Sequence, residues 1–127
     1  MFNPITIRIL RRCHTEQRPE FDDKITIQKL TENRLKVTYV EKSGLEPIVD
    51  ISYMGYHQFL TYMYRVFYLL AIDDDPFLSL QLMIPGYPST LVTIPSLKWQ
   101  TPHLLELLSS ALYTWPHAST QQQNNSE

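Results

Sequence analysis

Apolar residues recur in this chain with two different periods, and the points at which the period switches leave few ways for it to fold. Up to residue 53 the period is two. Ile5, Ile7 and Ile9 alternate with Thr6 and Arg8, and Ile25 and Ile27 with Thr26 and Gln28. Leu35, Val37 and Tyr39 alternate with Lys36 and Thr38, and Val49, Ile51 and Tyr53 with Asp50 and Ser52. Such alternation marks half-buried strands. Thr31-Glu32-Asn33 closes 24–41 into a hairpin, and Ser43-Gly44 makes a second turn. Arg11 to Phe21 has no period and reads as a loop or arm.

Near residue 54 the spacing becomes helical. Tyr56, Phe59, Leu60, Met63, Val66, Phe67 and Leu70 share one face, with His57, Gln58, Thr61 and Arg65 on the other. The spacing predicts a helix over 54–72, stopped by Asp73-Asp74-Asp75-Pro76. Alternation returns in 77–84, through Leu78, Leu80, Leu82 and Ile84. Pro85-Gly86-Tyr87-Pro88 is a turn, and 90–94 is a short return strand. Thr101 with Pro102 predicts the start of a second helix, running through Leu104, Leu108 and Leu112 to Pro116. Residues 117–127 form a polar tail. The order strands, helix, strands, helix predicts an α+β fold: two layers, a mainly antiparallel sheet of five to six strands, and two helices on one face. Residues 1–22 read as a strand plus a basic arm, and 23–116 as one domain.

The charge is unevenly placed. The net charge is -2, but residues 1–20 carry four arginines against two glutamates. Between 51 and 116 only six of 66 residues are charged. A small domain spends about a quarter to a third of its surface on charge, and a 127-residue chain cannot bury everything. That half is expected to present a low-charge surface to a protein partner.

Catalytic chemistry finds little support in the sequence. One cysteine, Cys13, excludes an internal disulfide and a four-cysteine zinc site. Its neighbour His14 would point the other way on an extended strand. Three isolated glycines exclude a glycine-rich phosphate loop. His103 and Glu106 lie on one helix face, but in the reverse of the di-iron order and once only; His57 and His117 have no ligand partners. Asp73, Asp74 and Asp75 could bind a divalent cation or dock a basic partner, although a solvated connection is the plainer reading. No cofactor or metal is expected. Arg8, Arg11, Arg12 and Arg18 form a basic segment able to reach nucleic-acid phosphates or a neighbouring subunit.

Residues 54–72 are almost long enough to span a bilayer, but Arg65 near the middle and His57, Gln58 and Thr61 argue for a packed helix. The four arginines and lack of an apolar run in 1–20 exclude a secretory signal peptide as an expectation. Tyr53, Tyr56, Tyr62, Tyr64 and Tyr68 cannot all face one core. With Tyr87 and Trp99 they are candidate interface residues, since such side chains join a large apolar area to a polar handle.

The wording Leu69-Leu70-Ala71-Ile72-Asp73-Asp74-Asp75-Pro76-Phe77, followed by Gln81-Leu82-Met83-Ile84-Pro85-Gly86-Tyr87-Pro88, resembles small uncharacterised proteins of large nucleocytoplasmic DNA viruses, especially algal viruses, over residues 50–116. The resemblance implies a viral product, a small virion- or capsid-associated component found in the virion or inside the infected cell. It carries no catalytic or binding residue. The leading expectation is a non-enzymatic structural or interaction protein packed into a larger viral assembly. The alternatives are a nucleic-acid-associated accessory protein using the basic segment and a small metal-dependent enzyme using Asp73–Asp75.

Overall fold

The computed structural model describes residues 4–12, 19–42, 46–73 and 78–115. These form β1 (Ile5–Arg12), β2 (Pro19–Thr31), β3 (Arg34–Glu41), β4 (Ile48–Met54), α1 (Tyr56–Asp73), β5 (Ser79–Met83), β6 (Thr90–Thr93) and α2 (Ile94–Thr114). Among the described residues the strands make one six-stranded sheet in the order β4-β3-β2-β1-β5-β6, and every neighbouring pair is antiparallel. The fold is α+β.

The first four strands form a meander. The chain then leaves the β4 edge, and α1 carries it back across the sheet so that β5 can pair with the other side of β1. Eighteen helical residues span about 27 Å, close to the length of an eight-residue strand. One return pass is therefore enough.

Alternation places one set of side chains under the helices. Ile5, Ile7 and Ile9 of β1 stand opposite Ile27, Ile25 and Asp23 of β2. Leu80 and Leu82 of β5 and Val92 of β6 continue the layer. Phe59, Met63, Phe67 and Leu70 of α1, and Leu97, Leu104, Leu108 and Leu112 of α2, close the same core. No described element packs on the opposite face of the sheet.

Two expectations about local structure need correction. The stretch 11–21 is no arm where it is described. Arg11 pairs with Phe21 and Arg12 with Pro19, so β1 and β2 extend toward each other. A register shift between Arg11 and Arg12 breaks the alternation there, because a bulge puts consecutive residues out of phase. The boundary expected at residue 22 falls inside β2, and β1 is an interior strand of the sheet.

The second correction concerns α2. It begins at Ile94, directly after β6, and Pro102 is internal to it. Thr93 occupies the N-cap position without a capping hydrogen bond, and the first-turn proline is Pro95. A proline there loses nothing, because the first turn has no acceptor for its missing N–H. Thr101 does not cap; its hydroxyl donates to the Leu97 carbonyl at 2.8 Å. Ile94 and Leu97 are buried one helical turn apart, a spacing hidden by the strand-like run before it.

Between β5 and β6, Tyr87 N–H donates to the Ile84 carbonyl at 3.0 Å. Pro85 sits second in this turn, and Gly86 sits third with φ of 85°. A positive φ at that position is the type II requirement and favours glycine.

Candidate interaction surfaces

The helical layer carries the first surface. Along α1, Tyr64, Tyr68 and Ile72 lie four residues apart and face α2. With Ala71, Lys98, Thr101 and Pro102 they line a groove of about 490 Å³ between the helices. The Tyr64 and Tyr68 rings stack at 6.4 Å and 20°. One step round α1, Arg65, Leu69 and Asp73 line a second cavity of about 510 Å³ together with Tyr39, Tyr62 and Val66. The exposed edge of α1 is thus a ridge between two grooves. Tyr64, Tyr68, Leu69 and Ile72 are 54–58% exposed, and Trp99 on α2 is 81% exposed. These are five large aromatic or aliphatic side chains left exposed on the helical layer.

Behind Tyr39 of the second cavity, polar groups hold one another. Asp23 is buried and accepts hydrogen bonds from the Tyr39 hydroxyl at 3.3 Å and from Lys42 N–H at 3.2 Å. Burial, then the adjacent Asp23 charge, pushes Tyr39 up to about 12. Burial and the Asp50 charge push Tyr62 up as well.

The open face of the sheet is the second surface. Alternation puts Arg8, Lys24, Arg34 and Lys36 there, with Thr6, Thr26 and Thr38 between them. Arg8 stands directly opposite Lys24 and donates to Gln81 at 3.5 Å. Thr6, Arg8, Lys24, Val40, Lys42 and Met83 line a hollow of about 340 Å³. At the β4 edge, Val49, Ile51 and Tyr53 are exposed on the same face, and the Arg34 guanidinium lies 5.7 Å from the Tyr53 ring centre.

A third feature escaped the sequence reading. Lys29 is only 3% exposed. Its ammonium donates to the carbonyls of Leu112 at 2.8 Å and Trp115 at 2.7 Å, and lies 5.6 Å from the centre of the Tyr56 ring. A cation at this point satisfies carbonyls that the end of α2 leaves without donors and complements the helix dipole. The signal was present: Lys29 continues the inward series Asp23, Ile25, Ile27.

The seven aromatic candidates do not form one patch. Tyr64 and Tyr68 stack in the groove between the helices, and Trp99 stands exposed on α2. Tyr62 is half-buried on the other flank of α1. Tyr56 is half-buried at the start of α1, edge-on to Tyr113 at 5.8 Å. Tyr53 belongs to the opposite face of the sheet, and Tyr87 to the turn after β5.

The charged candidates also separate. Arg8 lies mid-sheet; Arg11 and Arg12 end β1, their side chains outside the described residues, as is all of Arg18. Asp73 is exposed at the end of α1, while Asp74 and Asp75 lie outside the described residues, as do Cys13, His14 and His117. His57, His103 and Glu106 are exposed. Among the described residues no three His, Cys, Asp or Glu side chains converge to hold a metal ion, and no helix is long and apolar enough to cross a membrane. No protein family, no curated protein and no solved structure matches the chain.

Proposed function

We propose that this chain is a non-enzymatic structural subunit that assembles through its helical layer, and that its first partner is a second copy of itself. In the context implied by the viral resemblance, it would be a minor component of a virion. The observation that carries the reading is the α1 ridge: a stacked tyrosine pair, Leu69 and Ile72 stand exposed between two grooves. Helices pack by setting ridges into grooves, so a ridge with a groove on each side is complementary to its own copy.

Charge supports the same pairing. Arg65 and Asp73 lie one on each side of Leu69, each about 6 Å along the helix. A two-fold antiparallel contact centred on Leu69 sets Arg65 of one copy beside Asp73 of the other, twice. Reciprocity of this kind is what an isologous dimer requires.

Light scattering after size exclusion tests the proposal at two protein concentrations. The native chain is expected to shift from monomer to dimer as concentration rises. Tyr64→Ala with Tyr68→Ala should remain monomeric with an unchanged melting curve, because both side chains are exposed. Arg65→Glu should weaken the dimer, and adding Asp73→Arg should restore it. A monomer at every concentration, or a dimer indifferent to these changes, refutes the proposal.

A further inference from the structure

We infer that the open face of the sheet is a binding surface for single-stranded nucleic acid, with Lys24 and Lys42 holding the backbone at one end and Lys36, Arg34 and Tyr53 at the other.

Charge complementarity is the first support. The described strand side chains of this face include four cations, Arg8, Lys24, Arg34 and Lys36, and no carboxylate. Lys42 adds a fifth cation at the rim of the hollow. Asp23, Asp50 and Glu41 alternate to the other face, on the helix side. Arg8, Lys24, Arg34 and Lys36 thus share one face, while Lys29, Arg65 and Lys98 lie on the helix side.

Lys42 is positioned for this role. Asp23, on the buried side, accepts its backbone N–H at 3.2 Å. That bond fixes the chain just beyond β3, where the Lys42 side chain joins Lys24 in lining the hollow. Thr6 supplies a neutral hydroxyl donor in the same lining.

The second cluster makes the anion a polymer. Lys36 is cross-strand from Gln28 on one side and Tyr53 on the other. Gln28 lies four residues from Lys24, so the clusters are about 14 Å apart along the strands. A single phosphate occupies one of them, whereas a nucleic-acid chain occupies both. Tyr53 is exposed beside Ile51 and under Arg34, so the far cluster offers an unpaired base a ring on which to stack. A duplex hides its base faces and can use only the cations. A polyglutamate segment has no ring to stack there.

The test uses fluorescence anisotropy of a labelled single-stranded oligonucleotide of about 15 nucleotides with the full chain. If Lys24, Lys42, Lys36 and Arg34 each neutralise one phosphate, the salt slope is about -2.8, and affinity falls about 50-fold between 50 and 200 mM salt. Lys24→Ala with Lys42→Ala should halve that slope. Tyr53→Ala should lower affinity about tenfold and leave the slope unchanged, as expected for a lost stacking contact. Gln100→Ala, on the helical layer, should change nothing. All four side chains to be changed in these variants are exposed, and matching melting curves establish that each variant is folded.

Absence of binding at 50 mM salt overturns the inference. So does a duplex of equal length binding as tightly as the single strand. Equal competition by polyglutamate, with Tyr53→Ala silent, assigns the face to acidic protein instead and also overturns it. The helix-layer dimer can fail without affecting any of these readouts.

Discussion

Replacing Lys29 with methionine should destabilise the protein by about 2–4 kcal/mol, and the structure shows where that figure comes from. The ammonium is buried and bonds two carbonyls, those of Leu112 and Trp115, at 2.8 and 2.7 Å. Methionine keeps most of the stem's packing but leaves both carbonyls without that donor. A buried acceptor left unsatisfied costs about 1–3 kcal/mol. Loss of a cation at the α2 C-terminus adds about 0.3–1 kcal/mol, and loss of the contact with the Tyr56 ring about as much again. Removing a desolvated charge returns part of this. It does not return all of it, because the carbonyl dipoles that held the charge remain. Urea denaturation followed by circular dichroism gives the difference directly. For a domain of this size, about 2–4 kcal/mol corresponds to roughly 7–15 °C in melting temperature. Tyr56→Phe is the control: its hydroxyl donates to the same Leu112 carbonyl, but at 3.4 Å, and should be worth about 0.5 kcal/mol or less. If Lys29→Met is as stable as the native chain, the buried ammonium does not hold α2 and the reasoning fails.

Gly86→Ala should cost about 1 kcal/mol, entirely through backbone strain, because φ is 85° and a Cβ there meets no atom within 4 Å; thermal denaturation checks this, and an unchanged or raised melting temperature refutes it. Tyr39 should contribute to the alkaline limb of stability, alongside Tyr62. Its folded-state pKa is raised from 10.0 to about 12, so its contribution is fully present below pH 10 and is lost as pH rises toward 12. Denaturation midpoints across that window should fall in the native chain and fall less in Tyr39→Phe; identical limbs would show that the phenol beside Asp23 is not responsible.

The sheet was legible in the sequence wherever one face of a strand is buried and the register is unbroken. Ile25 and Ile27, or Leu35 and Val37, can point only one way. The reading lost the β1–β2 hairpin at the register shift between Arg11 and Arg12, where local alternation no longer reports which face a residue is on. It placed the start of α2 too late because Thr101-Pro102 repeats the cue that Thr93 and Pro95 give earlier, and both are locally valid. Lys29 was missed for a different reason. Alternation put it inside, but a lysine is read as outside unless an acceptor is known, and its acceptors lie 83 and 86 residues away. The surfaces divide in the same manner. Tyr64 and Tyr68 could be paired from their i, i+4 spacing alone, whereas the hollow of Thr6, Lys24, Lys42 and Met83 assembles four separate stretches of chain and exists only once the strand order is known.

The scarcity of charge between residues 51 and 116 had two explanations, deep burial or an apolar surface, and the structure separates them. Tyr64, Tyr68, Leu69, Ile72, Leu91, Trp99 and Tyr113 all come from that stretch, and all are exposed. Burial therefore does not account for the deficit. The same stretch supplies both helices, so the low-charge surface and the helical layer largely coincide, while Lys24, Lys36 and Lys42 stand on the far side of the sheet. Strand alternation enforces that division: Asp23 and Lys24 are neighbours in sequence and on opposite faces of the sheet. A chain built this way carries Tyr64, Tyr68, Leu69, Ile72 and Trp99 on one side and Arg8, Lys24, Arg34 and Lys36 on the other. Occupying one side leaves the other open.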